Sequence, residues 1–354
     1  MKKINDYLIY ELENPVDLQP TVTVIGDLNY DYIYQCPLLQ SGKEVIIESF
    51  EKHLAGAGGY FSAGISKLGA TVYLLTRIGD DEDGRNLLKE AEKIGIRTDG
   101  IMVIEKEKTP FTLIFTQKGE EQKRQVATYL GTLKDLSSEN VPWEKCLKKS
   151  MMVYSCNYFL LKKLREEIRF IFKEAKKIGL VTAYDANAGD GWENQKELQT
   201  LKNYIYPNTD LIFLNHDEAR HLTGLSDPFK SILKIEKNAK TVVIKLGKDG
   251  VLIRHLDKLY RIGGFPIGSR VADTVGAGDS FQAAFSYFYL RKKPIEICGI
   301  MGCANGATTV LHHGGLDGQC TTEELKRFIS QFDILDMGNR TIQIKPRGYI
   351  SRYA

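Results

Sequence analysis

The chain has 354 residues, 43% of them hydrophobic and 26% charged, with a formal net charge of +3. That is ordinary globular composition with enough chain for about two domains' worth of core, and it excludes a disulfide-dependent mini-protein. The charge is too balanced to imply a nucleic-acid partner, and no run of about 18 apolar residues predicts a membrane span.

The positive excess lies in residues 339–354, where Arg340, Lys345, Arg347 and Arg352 stand without an acid. This tail is expected to be a separate structural or interaction element. The start, Met1 to Asp6, is charged and lacks an apolar h-region, so it does not read as a signal peptide. Cys36, Cys146, Cys156, Cys298, Cys303 and Cys320 form no C-x-x-C pair and read as reduced thiols of a cytoplasmic protein.

In chain order, residues 1–20 read as an extension or an edge element, with Pro15 and Pro20 interrupting any helix. Thr21 to Gly26 is a β-branched run ending in glycine, predicted as a buried strand. A helix-like segment closes at Gly64 to Gly69, and Thr71 to Leu75 is a second strand. Asp83 to Ile94 is predicted helical, with Leu87, Leu88, Ala91 and Ile94 on one face. Two stretches break the alternation. Tyr32 to His53 contains the apolar run Glu44 to Glu48. Thr109 to Leu130 reads as a β-hairpin turning at Gln117 to Glu121. Together they are expected to form a small sheet outside the main layer.

Alternation then resumes. Strands are predicted at Met151 to Tyr154, Leu180 to Tyr184, Asp210 to Leu214, Thr241 to Leu246 and Leu252 to Arg254. Helices are predicted at Leu160 to Lys177, Gly278 to Arg291 and Ile295 to Leu311. Strands alternating with helices imply an α/β fold whose mostly parallel central sheet is covered by helices.

The strongest chemical signal is Asp273-Thr274-Val275-Gly276-Ala277-Gly278-Asp279-Ser280-Phe281, which opens a helix. Small residues at Gly276, Ala277 and Gly278 let backbone N–H groups approach a ligand. A helix N-terminus adds unpaired donors and partial positive charge. Asp279 supplies a carboxylate within reach of whatever anion is held there. Donors for developing charge beside a proton acceptor are what phosphoryl transfer to a hydroxyl needs. The plain alternative is a glycine turn with an acid in the first helical turn.

The motif resembles the D-T-x-G-A-G-D-x-F signature of the ribokinase-like (PfkB) family of carbohydrate kinases and matches it at every specified position. Further motifs follow in that family's order over roughly residues 21–330. The resemblance implies ATP and Mg²⁺, with Asp279 as base and the turn Gly276, Ala277, Gly278 holding the transferring phosphoryl group. Gly26-Asp27-Leu28-Asn29-Tyr30-Asp31 looks like the sugar-binding G-x-x-N-x-D and implies Asn29 and Asp31 on the acceptor. Ala55-Gly56-Ala57-Gly58-Gly59-Tyr60 looks like the first signature, with Gly56 near the acceptor. Tyr60 stands where an asparagine is usual, so it is either an aromatic platform for the acceptor or a core ring. Phe61 would join it if the acceptor were a nucleoside. Asn157, after a strand, is a further acceptor candidate.

Asp185-Ala186-Asn187 resembles D-x-N-x-R, with Gly189 replacing the arginine; Asp185 and Asn187 are implied to order Mg²⁺ and phosphate. Asn215-His216-Asp217-Glu218 matches N-x-x-E, which implies Asn215 at the nucleotide and Glu218 on Mg²⁺ through water. Lys245, Gly247 and Gly250 lie in a turn similar to the family's nucleotide-binding turn. Lys245 either reaches a phosphate or stays a solvated strand end. Asn305 aligns with a helix flanking the adenine. His312-His313 reads as a loop, and Asp273 borders an implied monovalent-cation site, K⁺.

The resulting expectation is an ATP-dependent kinase of a sugar hydroxyl, with a nucleoside kinase or a non-catalytic sugar- or nucleotide-binding regulator as alternatives. The α/β domain is assigned to 21–31, 54–106 and 131–332, the lid to 32–53 and 107–130, and extensions to 1–20 and 333–354. A homodimer through the lid is expected, without nucleic-acid or membrane partners.

Overall fold

A computed structural model describes residues 1–14, 18–117, 124–187 and 189–348. Six parallel strands make the heart of the molecule. In spatial order they are Thr71–Gly79, Thr21–Ile25, Met152–Cys156, Val181–Asp185, Leu211–Asn215 and Thr241–Lys245. Alternation along each strand sends side chains to opposite faces. Val22 and Val24 join a core with Phe61 and Phe285. Ile25 and Val153 join a second core with Ile168 and Phe172. Helices Ala57–Lys67 and Ala277–Leu290 cover the first face, and Lys162–Lys177 covers the second. Leu164, Ile168, Ile171, Phe172 and Ala175 form the buried stripe of that last helix, so its many lysines face solvent.

Beyond Thr241–Lys245 the sheet turns antiparallel through Val251–His255 and Lys258–Ile262. Thr341–Pro346 then lies parallel to Lys258–Ile262 and antiparallel to Phe332–Asp336, which pairs in turn with Lys2–Lys3. This corrects the assignment of residues 333–354 as an extension and of the basic tail as a separate element. Ile342 and Ile344 are buried, so the described part of the tail completes the central sheet; residues 349–354, including Arg352, lie outside the described residues. The charge pattern drew attention away from a short alternating run, Thr341-Ile342-Gln343-Ile344, in which every second residue is buried. The N-terminal residues are likewise built in. Asn5–Glu13 is a helix, and Asn5 donates to the Phe332 carbonyl while accepting from the Ile334 N–H.

A second, four-stranded sheet has the order Ser49–Ala55, Asn29–Gln35, Phe111–Thr116, Gln125–Tyr129. Its outer pairs are antiparallel and its central pair is parallel. The hairpin lies where expected, although its turn at 118–121 is outside the described residues. The apolar run Glu44 to Glu48 is not a strand; Ile46 is 81% exposed there. The strands that do form begin at Asn29 and end at Ala55, so residues 29–31 and 54–55, assigned above to the α/β domain, pair within the small sheet, while Tyr30 and Leu54 pack into the first core. Tyr30 and Tyr32 anchor this sheet to the Glu82–Ile94 helix through Glu90 and Asp83, each at 2.7 Å. Among the described residues no helix is long and apolar enough to cross a membrane.

Candidate active site

The carboxyl ends of the parallel strands bring the chemistry together, as open α/β sheets do. Register fixes the neighbours: Cys156 lies opposite Asp185, Asp185 opposite Phe213, and Asn215 opposite Lys245. Asn157, Asp185, Asn215 and Lys245 therefore stand along one rim. The N-terminus of the Ala277–Leu290 helix faces that rim. Its capping position is Gly276 at φ +69°; the Ala277 N–H reaches the Thr274 carbonyl at 3.5 Å, and no side chain among the described residues takes the Gly278 and Asp279 N–H groups, which stay available to a ligand. A Cβ on Gly276 would lie 3.1 Å from Gly315 Cα, and one on Gly278 would lie 3.3 Å from Lys245 Nζ. The turn is thus packed to glycine tolerance, and the lysine ammonium stands directly against it.

Asp279 lies half-buried in the first turn, with Oδ1 shielded from solvent and without a hydrogen-bond partner. Burial pushes its carboxyl well above the ordinary range. Lys245 opposes the shift, Asp185 and Asp27 add to it, and the Asn187 amide eases it. A carboxylate held this way has a strengthened appetite for a proton.

Lys245 bonds Asp185 Oδ2 at 2.7 Å. Burial works against its charge, but Asp185 and Glu218 outweigh that and hold its pKa above the usual lysine value. This excludes the solvated strand end considered from the sequence. Gln282 also donates to Asp185 Oδ2, and accepts from the Tyr154 hydroxyl at 2.8 Å. The Asn187 N–H donates to Asp185 Oδ1 at 2.9 Å, and the Asn187 side chain accepts from the Asn157 N–H at 3.1 Å. Both asparagines adopt left-handed backbone, at φ +56° and +58°. Asn157 therefore joins the Asp185 network through its backbone. Glu218 and Asn215 form a reciprocal cap on His216–Thr223: Asn215 N–H donates to Glu218 at 2.7 Å and Glu218 N–H to Asn215 at 2.9 Å. Burial first, then Asp185, pushes Glu218 up to about 8.

The other end of the crevice is built where the small sheet begins. Asn29 donates to Asp31 Oδ1 at 3.1 Å, and Thr112 of the small sheet lies 3.2 Å from the same amide. The Tyr60 hydroxyl donates to Asp31 Oδ2 at 3.2 Å. Burial raises Asp31 to about 6 despite the Tyr60, Asn29 and Thr112 hydrogen bonds, while Asp27 adds to the rise. Gly56 holds φ +93°, and its missing Cβ leaves room for Asn29 Oδ1 and the Asp27 carboxylate, each within 2.9 Å of that position.

Four of the singled-out residues turn out to be engaged by the protein itself. Tyr60 is 4% exposed, with its ring against Gly276 and Gly315, and Phe61 is fully buried and stacked on Tyr154. Neither ring is presented for stacking on an acceptor, because the Ala57–Lys67 helix is buried against Ala277–Leu290. Asn305 is also fully buried. It donates to the Ser280 carbonyl at 2.8 Å and accepts from the Cys320 N–H at 2.9 Å, so its amide is spent on holding the chain together rather than on adenine. Gly250 would clash with the Ile262 carbonyl if it carried a Cβ, so it serves the turn's own packing, whereas Gly247 faces open space at φ +58°. Asp273 accepts from the Val275 and Gly314 N–H groups at 3.0 and 3.2 Å, tying the glycine turn to the 312–315 loop. No cluster of three metal-ligating side chains occurs among the described residues, His312 and His313 included.

Asp27, Gln282, Thr112 and Gln319 were missed. Asp27 accepts from the Gly58 and Ala57 N–H groups at 3.0 and 3.1 Å and so caps the Ala57–Lys67 helix from the connection after Thr21–Ile25. Gln319 donates to the Tyr60 carbonyl at 2.8 Å and to Ser280 at 3.0 Å. Only Gln282 left a trace in the sequence, as an amide inside the apolar run Phe281 to Phe285.

An uncapped helix N-terminus, a lysine and a proton-hungry carboxylate thus meet at the strand ends of a helix-covered sheet. Residues 19–321 match the pfkB family carbohydrate kinase, and the chain belongs to that family. It is a phosphotransferase with a hydroxyl acceptor, as the sequence motifs implied. The chain is 26% identical over 339 residues to a 5-dehydro-2-deoxygluconokinase of Clostridium tetani, covering 92% of this chain and 96% of the relative. Its fold is similar to that of Arabidopsis thaliana ribokinase complexed with ribose and ATP, with a TM-score of 0.74 at 21% identity, covering 88% of this chain and 99% of that one. It is also similar to an Escherichia coli structure described as a ribokinase II in complex with ATP and Mg²⁺, with a TM-score of 0.76 at 19% identity and the same coverage.

Proposed function

We propose that the chain transfers the γ-phosphoryl group of ATP to a hydroxyl of a small sugar, with Asp279 as the base. The observation that carries this reading is the shielded, unpartnered Asp279 Oδ1 beside an uncapped helix N-terminus and Lys245. Asn29 and Asp31 hold the acceptor. Asp279 takes the proton of the attacking hydroxyl. Backbone N–H groups of Gly276 to Asp279 and the Lys245 ammonium accept the charge that develops on the phosphoryl oxygens.

The donor set fits a hydrated Mg²⁺ brought by the nucleotide. Asp185 and Glu218 are two buried acids facing one lysine, and no protein cage of three ligands surrounds them. Asp185, Asn187, Asn215 and Glu218 would hold it through water, and it would supply charge neutralisation between phosphates. Gly247 leaves room for the nucleotide. K⁺ would sit on carbonyls near Val275 and Gly315, since Asp273 is engaged with backbone donors. Exposed Phe50, Val126 and Tyr129 on the small sheet fit a second copy of the chain. Six buried, unpaired cysteines suit the cytoplasm.

ADP release measured over a panel of sugars, with and without K⁺, tests the reading. Acceptor-dependent turnover that disappears in Asp279→Asn is the expected result. Tight ligand binding without turnover of any acceptor would replace the kinase with a binding protein.

A further inference from the structure

Gln282, in the second turn of the Ala277–Leu290 helix, places a fully buried amide inside an apolar run. An amide there costs free energy unless both of its ends are paired. Both are. One end bonds Asp185 Oδ2, and the other bonds the Tyr154 hydroxyl at 2.8 Å. A carboxylate only accepts, so the amide nitrogen faces Asp185 and the amide oxygen faces Tyr154, whose hydroxyl donates. The Tyr154 ring is fully buried and stacked on Phe61, with centroids 3.8 Å apart and planes 1° from parallel. A fixed ring thus holds the amide from behind and aims its N–H at the carboxylate.

Asp185 Oδ2 is therefore shared. Lys245 bonds the same oxygen at 2.7 Å, while Oδ1 takes the Asn187 N–H at 2.9 Å. The sharing matters because Lys245 has two directions to serve. Its ammonium also stands against Gly278 at the open helix end. An oxygen that already accepts from an amide pulls less strongly on the ammonium. A buried carboxylate that keeps its other donors is also not stranded when the ammonium turns away. With Lys245 as the sole donor to Oδ2, Asp185 would hold the lysine more tightly and lose more on its departure.

We propose that Gln282 is a positioning residue for phosphoryl transfer: it takes a share of Asp185 Oδ2, so that Lys245 can turn its charge to the phosphoryl group being transferred while the carboxylate stays in place. The inference deepens the kinase reading and rests on it for the place of that phosphoryl group.

The test compares the full chain with Gln282→Leu, which keeps the side-chain bulk and removes the amide. Calorimetry gives the Kd of adenylyl imidodiphosphate and of ADP, each with Mg²⁺; only the first fills the γ-phosphoryl position. Rates are measured with ATP, Mg²⁺ and each of D-ribose, D-fructose and 5-dehydro-2-deoxy-D-gluconate. In Gln282→Leu the imidodiphosphate should bind about fivefold or more weakly, with ADP changed by less than about twofold. In the same variant kcat should fall by about tenfold or more, with the sugar KM held within about twofold. A residue that only filled the core would move both nucleotides together or neither. Tyr154→Phe keeps the stacked ring and unties only the amide oxygen. The same γ-selective loss, about two- to threefold, is expected there and decides the matter if Gln282→Leu folds poorly. Equal loss of both nucleotides, or loss of neither, would overturn the inference and leave the kinase standing. A γ-selective loss in a chain that phosphorylates no acceptor would overturn the kinase reading and leave Gln282 its part in holding the phosphoryl end. Failure of the wild type to bind either nucleotide would overturn both.

Discussion

Two helices in this molecule start with nearly the same residues and meet opposite fates. Ala57–Lys67 begins after Gly56 with Ala57, Gly58 and Gly59, and Ala277–Leu290 begins after Gly276 with Ala277 and Gly278. They lie side by side, with Gly64 of the first closely against Ala283 of the second. The first N-terminus is closed by the chain's own anion, because Asp27 accepts from two of its N–H groups. The second has no capping side chain and faces Lys245 instead. Glycine-rich sequence makes a helix end approachable, but what occupies that end is decided by a residue from another strand. Closing one end with an internal carboxylate makes a structural joint; leaving the other open keeps donors for the phosphate of the proposed reaction.

The largest test of this contrast is Asp279→Asn. It should lower kcat by about 10²–10⁴-fold with ATP affinity retained by calorimetry. A loss of less than about fivefold would mean that the open helix end lacks the base assigned to it. Next comes Lys245→Met, which strands the buried Asp185 carboxylate. Unfolding free energy measured in urea should fall by about 3–5 kcal/mol, and an unchanged midpoint would show the pair to be idle. A third test uses pH. Asp31 at about 6 is ionised above that value and protonated below it. The kcat/KM for the acceptor should therefore fall as pH drops through about 6, and Asp31→Asn should flatten that limb. A wild-type profile without it would remove Asp31 from acceptor binding. The smallest effect belongs to the closed end: Asp27→Asn should cost about 1–2 kcal/mol of stability and keep ATP affinity. Loss of ATP binding in a folded Asp27→Asn would erase the distinction between the two helix ends.

The parts legible in the sequence were those whose residues are contiguous. The Asp273 to Phe281 run states a turn, a helix start and a carboxylate within nine residues, and it led to the fold and the phosphate end together. The acceptor end was legible only as fragments. Asp31 and Asn29 were visible after their strand, but Thr112 reaches Asn29 through strand pairing in the small sheet. Tyr60 stayed open between an aromatic platform and a core ring, because its burial depends on residues more than two hundred positions away in the chain. Asn305 failed for a related reason. An amide on an apolar helix looks the same in sequence whether it meets a ligand or, as here, the backbone at Ser280 and Cys320. The Thr341–Pro346 strand was hidden by the charges in and around it, Lys345 within it and Arg340 and Arg347 at its flanks.

That strand also sets an order of events in folding. It lies between Lys258–Ile262 and Phe332–Asp336, and Asn5 reaches across 327 positions of sequence to the Phe332 carbonyl. The Asn5 contact, so distant along the chain, carries a large loop-closure entropy and forms late. The parallel strands that bear the crevice lie between residues 21 and 245 and can pair before the far edge exists. During synthesis the catalytic half of the sheet would thus wait with an open margin until the last strand arrives, and that margin is the surface a chaperone or an aggregating neighbour would meet first.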